Sequence, residues 1–138
     1  TRIAMQTSGE HDLSKLLSNM KPKVNPEIFA FCSFPSFVIP TVLTPMATFR
    51  EAEGLTAILE LGQAQALGIQ CEFESRMITL TVHSALDAVG FLAHVTRALA
   101  RQHIPCNVIS AFHHDHLFVP DSRPEAALKV LDDLAGQD

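Results

Sequence analysis

Residues 76–83, RMITLTVH, alternate without a break: Ile78, Leu80 and Val82 are apolar, while Thr79, Thr81 and His83 are polar. Strand side chains point to opposite faces in turn, so this pattern demands a sheet with one face on a core. Directly afterwards the period changes. Over residues 85–102, Ala88, Phe91, Leu92, Val95, Ala98 and Leu99 fall on one helical face, with His94, Arg97 and Arg101 opposite. Such a strand and helix bury their apolar surfaces together only if the helix lies on the sheet that holds the strand. Pro105 then leads into CNVISAF, 106–112, and LFVP, 117–120, both read as strands. Ser122 with Glu125 three residues on is a capping box, and Pro124 is tolerated in the first helical turn. Ala127, Leu128, Leu131 and Leu134 supply that helix's buried face, and Gly136 ends it. The second half of the chain is therefore β-α-β-β-α.

The first half is less regular. Asp12 is the expected cap of a short helix carrying Leu13, Leu16, Leu17 and Met20 on one face, ended by Pro22 and Pro26. IFAFCSF, 28–34, reads as a buried strand, and PSFVIPTVLTP, 35–45, as a connection because its prolines forbid a regular helix. Residues 48–51 and 55–61 read as strands joined by a hairpin at Glu51-Ala52-Glu53-Gly54. GQAQAL, 62–67, is a brief helix stopped by Gly68, and 69–74 another strand. Both halves contain a hairpin followed by a helix, TFREAEGLTAIL then GQAQAL and AFHHDHLFV then RPEAALKVLDDLA, with Phe49 matching Phe112. A degenerate internal duplication accounts for this. The expected fold class is α+β, with two ferredoxin-like units in tandem, the first degenerate. Their expected spans are 12–75 and 76–138, after a disordered segment over 1–11 in which Met5 is expected to be the natural first residue.

A formal net charge of −5 and the lack of any Lys/Arg cluster longer than a pair exclude nucleic acid and anionic membrane surfaces as expected partners. No apolar run approaches the ~20 residues of a spanning helix, and no secretory signal pattern stands at the start, so a cytoplasmic location is expected. The three cysteines, Cys32, Cys71 and Cys106, are far apart and are expected to be buried reduced thiols. GxSxG, HExxH and P-loop patterns are absent, Cys106 reads as core, and no catalytic residue or cofactor is expected. His113, His114, Asp115 and His116 suggest a metal site, with His83 as a further ligand. The alternative is a hairpin tip over 113–116, because the apolar pattern breaks there and Asp suits turn geometry. The hairpin is the expectation, and metal ligands none.

MATFREAEGLTAILE, MITLTVHSALDAVGFLAHVTRALA and CNVISAFHHDHLFVP together resemble a bacterial family of small tandem ACT-domain proteins, over residues 12–135. The arrangement is more distantly similar to the ACT regions of aspartokinases and of cytosolic arginine sensors. The resemblance implies a βαββαβ fold in each unit, and binding of a small molecule, usually an amino acid, at an interface between units. It also implies dimers built by extending sheets side by side, and no appended enzyme. One departure is plain: the proline-rich stretch 35–45 stands where an ACT unit carries its first helix.

The intact turn of the second unit is the candidate ligand site. It comprises Ser84, Ala85, Leu86, Asp87, Ala88, Val89 and Gly90. A helix starting near Ala85 would present unpaired N–H groups at its positive end, where an anion such as a ligand carboxylate docks. Asp87 would face a ligand ammonium, and Gly90 would permit close approach. The purely structural reading is that Ser84 and Asp87 form a capping box. The resemblance adds the start of the next strand, Asn107, Val108 and Ile109, to the site. The expectation is thus a non-enzymatic, homodimeric amino-acid-binding protein; the alternatives are a ligand-free module that pairs with other proteins through its sheets and a His-cluster metal protein.

Overall fold

Strands from both halves of the chain join a single sheet. The computed structural model describes residues 8–136, so part of the expected disordered segment lies outside the described residues. The chain runs α1 (Leu13–Asn19), β1 (Pro22–Phe34), β2 (Ala47–Arg50), β3 (Leu55–Glu60), α2 (Leu61–Ala66) and β4 (Glu72–Leu80). It continues through α3 (Phe91–Arg101), β5 (Asn107–Ser110), β6 (Asp115–Pro120) and α4 (Pro124–Ala135). All neighbouring strands are antiparallel, in the order β2-β3-β1-β4-β6-β5.

A ferredoxin-like unit places its fourth strand beside its first, and both units here obtain that strand from each other. In the second unit β4, β5 and β6 lie in the expected places, and the fourth position is filled by the N-terminal part of β1, where Val24 pairs with Ile78. In the first unit β1, β2 and β3 are joined by the N-terminal part of β4, where Phe31 pairs with Glu72. Each central strand thus opens one unit and closes the other. This double use explains why β1 extends to 13 residues and β4 to nine. It also corrects the expected separate strands 69–74 and 76–83: they are one strand, and residue 76, the expected start of the second unit, lies inside it. Pro22 and Pro26 fall within β1 instead of preceding it. Pro22 is the first residue, and Pro26 sits where the β1–β4 register shifts between Val24 and Ile28, positions where a missing N–H costs least. The Arg76 guanidinium fills the irregularity by donating to the Asn25 carbonyl from Nε (3.0 Å) and Nη2 (2.9 Å).

The main core lies between the sheet and α1, α3 and α4. Ile78 and Leu80 from β4 and Leu117 and Val119 from β6 meet Val95 and Leu99 of α3 and Leu131 of α4. Asp12 caps α1 as expected, accepting from the Lys15 N–H at 3.0 Å. The expected capping box of α4 does not form: Arg123 is the N-cap, without a side-chain hydrogen bond, and Pro124 opens the helix.

On the first unit's side of this face, the connection 35–45 folds over the sheet. Leu43 packs with Cys32, Ala57, Leu59 and Ala64. Here the cysteine expectation is corrected. Cys32 and Cys71, 39 residues apart, form a disulfide with a Cα separation of 4.7 Å. The pairing of β1 with the start of β4 sets them side by side, a proximity that no sequence spacing announces. Cys106 remains free, and burial pushes its thiol up to about 11.

The opposite face carries Phe29, Ile58, Met77 and Phe118, all buried. Six flat strands would hold the two edges about 24 Å apart. Yet Ala47 of β2 and Ile109 of β5 join this same cluster, so the sheet curls until its edges face each other across a cleft. Edge-to-face ring pairs, Phe29–Phe118 at 6.0 Å and Phe31–Phe118 at 5.5 Å, line the inside of the curl.

Candidate functional site

Helix α3 starts at Phe91, later than the expected Ala85. Two local causes delay it. Gly90 adopts φ 93°, a left-handed conformation that interrupts any helix entering from before it. Upstream, residues expected to be loose hold the turn extended: the Glu10 N–H donates to the His83 carbonyl (2.8 Å), and the Ala85 N–H donates to the Glu10 carbonyl (3.0 Å). The contacts of the turn therefore reach back to Glu10, within the segment expected to be disordered. The expected capping box is absent. Asp87 instead meets His11, with 2.6 Å between Oδ1 and Nε2, so the chain itself engages that carboxylate.

The late start moves the helix's free donors. The His94 N–H is bonded to the Gly90 carbonyl at 3.1 Å, and no side chain caps the helix. The N–H groups of Phe91, Leu92 and Ala93 are thus the ones with no acceptor inside the helix. They sit at the positive end of its dipole.

These residues border a cavity of ≈ 140 Å³. One wall is the turn, through Ser84, Ala85, Leu86, Ala88 and Gly90. The second is the first turn of α3, and the third is the β5–β6 hairpin, through Ser110, Ala111 and Asp115. Of the residues expected from sequence, Asp87 and Val89 stand apart from the cavity; Val89 is 86% exposed. Asn107 is exposed on β5, while Val108 and Ile109 border the separate cleft between the sheet edges, with Phe31 and Ile58. The structure therefore brings together most of the expected turn but exchanges the expected strand residues for others further along the same hairpin.

Asp115 is the residue that sequence reasoning missed. The hairpin tip is not at 113–116. It is closed by the Ala111 N–H donating to the His114 carbonyl at 3.0 Å, and Asp115 and His116 already belong to β6. Asp115 shares the parity of Leu117 and Val119, so its side chain is on the helix-covered face. It is only 6% exposed. The signal was present as Asp-x-Leu-x-Val, an acidic residue in phase with two core residues, and was hidden by the assumption that the polar run was all turn.

The histidines do not converge as metal ligands would, and among the described residues no group of His, Cys, Asp and Glu is arranged to hold a metal ion. Their rings form a file, with centroids 5.5 Å apart for His83–His113 and 6.4 Å for both His113–His114 and His114–His116. Strand alternation turns His116 to the inside of the curl, where its Nδ1 lies 2.8 Å from Thr79 Oγ1. Burial, then the charge of His114, lowers the His116 pKa, and Asp115 opposes this.

Comparison with known proteins places this geometry in a family. Residues 8–76 match one family model and residues 72–133 another, both described as ACT domains. The two matches overlap in β4, the strand that serves both units. No curated protein matches the chain at a significant level. Among solved structures, a protein of unknown function from Vibrio cholerae, described as a possible transport protein, is 38% identical with TM-score 0.79, over 89% of this chain and 95% of that one. A protein from Agrobacterium tumefaciens is 20% identical with TM-score 0.70, over 85% and 90% of the two chains. The regulatory subunit of aspartate kinase from Thermus thermophilus, in its ligand-free form, is 9% identical with TM-score 0.62, over 82% and 95%. The last two likenesses are of fold alone. Among the described residues, no helix is long and apolar enough to cross a membrane.

Proposed function

The chain belongs to the ACT-domain family, and from that premise we propose that it is a non-enzymatic regulatory protein that binds a small molecule, an amino acid, in the cavity at the start of α3. ACT domains are typically regulatory and ligand-binding. The observation that carries the reading is the juxtaposition of that cavity with the N–H groups of Phe91, Leu92 and Ala93. A carboxylate there gains donors that otherwise lack partners, and it lies at the positive end of an 11-residue helix. The lining is largely small residues, Ala85, Ala88, Gly90, Ala93 and Ala111, which leaves room for a compact ligand to approach the backbone.

In this reading the protein is cytoplasmic and acts as a homodimer. In a reducing compartment Cys32 and Cys71 would stand as neighbouring thiols. Support for dimerisation comes from β2, a sheet edge that presents Phe49 at 71% and Met46 beside it at 45% exposure. The same edges favour the second reading, a module that assembles with other proteins and takes no ligand.

Calorimetric titration with the twenty common amino acids tests the proposal. At least one is expected to bind and to raise the thermal midpoint, and Ala111→Trp, placed at an exposed position of the cavity wall, is expected to abolish that binding in a folded protein. No heat and no thermal shift with any of them overturns the amino-acid reading.

A further inference from the structure

The cavity has a second pole. Asp115, a residue only 6% exposed, lines the same cavity as the first turn of α3, from the face of β6 that looks toward the helices. Among the described residues it accepts no hydrogen bond and forms no ion pair. A carboxylate with no protein partner in a largely enclosed cavity is open to a cationic group that arrives from outside. Among the described residues, the ion pairs of Lys and Arg side chains lie elsewhere: Lys15 with Glu10, Arg76 with Asp121 and Lys129 with Asp133. Among the described residues, the polar side chains that share the cavity wall with Asp115 are those of Ser84 and Ser110.

We propose that Asp115 recognises the ammonium group of the ligand, so that the site selects zwitterionic amino acids against the corresponding 2-hydroxy and 2-oxo acids. The inference rests on the functional reading above and adds the rule of selection. One end of the cavity supplies N–H donors for a carboxylate, and the other supplies a fixed negative charge. A ligand bearing only the carboxylate leaves Asp115 as unpaired as before and adds a second negative charge to the same cavity. A zwitterion satisfies both poles with no net charge brought in. Dicarboxylic side chains meet the same repulsion, so among amino acids those with neutral or basic side chains are favoured over aspartate and glutamate.

The experiment is calorimetric titration of the full chain with the twenty common amino acids, and, for each that binds, with its 2-hydroxy analogue. Replacing the amine by hydroxyl is expected to weaken binding about 30-fold or more, the effect of removing one partner from a buried charge pair. Asp115→Asn is expected to weaken the amino acid by a similar factor and to narrow its advantage over the hydroxy acid. The variant is expected to fold, since in the free protein the carboxylate has no partner to lose; a far-ultraviolet spectrum and thermal melt check this. If Asp115→Asn does not fold, the analogue comparison on the unaltered protein still decides. Equal binding of amino and hydroxy acids overturns the role of Asp115 while leaving a carboxylate site at α3 standing. Failure of every amino acid to bind overturns both.

Discussion

The two units fill the same place in the fold in opposite ways. Between its first and second strands the second unit has a turn and then helix α3, whose core residues Phe91, Val95 and Leu99 are at most 2% exposed. In the first unit the corresponding connection, residues 35–45, is held over the sheet by Leu43 and flanked by the Cys32–Cys71 disulfide. Both solutions cover apolar strand residues, but only the helix aligns successive N–H groups at one point. A covered sheet therefore needs either device, whereas an anion site needs the helix. This is why the candidate cavity occurs in the second unit, although the first has an equivalent hairpin.

The largest test of the comparison is in the cores. Leu99→Ala is expected to cost about 3–5 kcal/mol, because Leu99 is fully buried in the larger cluster. Leu43→Ala, in the small cluster and at 8% exposure, is expected to cost about 2 kcal/mol. Urea unfolding of both variants measures the difference, and equal losses would show that the connection 35–45 packs as firmly as α3. Next comes the disulfide. Its removal in the Cys32→Ala, Cys71→Ala double variant is expected to cost about 2–4 kcal/mol, mainly by releasing the loop between them in the unfolded chain. Reductant should lower the thermal midpoint of the parent protein and leave that of the double variant unchanged.

Gly90→Ala sharpens the other side of the comparison. The added Cβ finds room, with Leu13 Cδ2 at 3.9 Å, so the expected loss of about 1–2 kcal/mol comes from holding alanine at positive φ. Affinity for a bound amino acid should fall with it, since the donors of α3 are aimed by this residue. The smallest effect is that of His116. Its pKa in the folded protein is below the ordinary 6.5, so the unfolded chain takes up a proton first as pH falls. Stability from this group is complete above pH 6.5 and declines as pH drops through that value toward the lower folded pKa. A thermal midpoint that falls less steeply below pH 6.5 in His116→Gln than in the parent would confirm the assignment; parallel curves would remove it.

The elements themselves were legible. The alternation of Ile78, Leu80 and Val82, the 3.6-residue spacing of Phe91, Val95 and Leu99, and the prolines of residues 35–45 each reflect a local rule about backbone and side-chain direction. The ACT resemblance, carried by HSALDAVG and HDHLFVP, pointed to the right fold and to the turn that walls the cavity. The start of α3 was misjudged by local rules, because Ser84 and Asp87 mimic a capping box that the strand-like contacts of Glu10 prevent. Asp115 was overlooked because a polar residue beside histidines looks like turn until its register opposite Leu80 is known.

What the sequence determined by itself was therefore periodicity: which residues form strands and helices, and which of their faces is apolar. These depend on neighbours a few positions away. The tertiary structure alone decided that β1 and β4 each serve two units, that Cys32 meets Cys71, and that Asp115 and the first turn of α3 border one cavity. Those facts depend on strand pairing between residues tens of positions apart, and a period within one segment carries no record of which other segment will lie beside it.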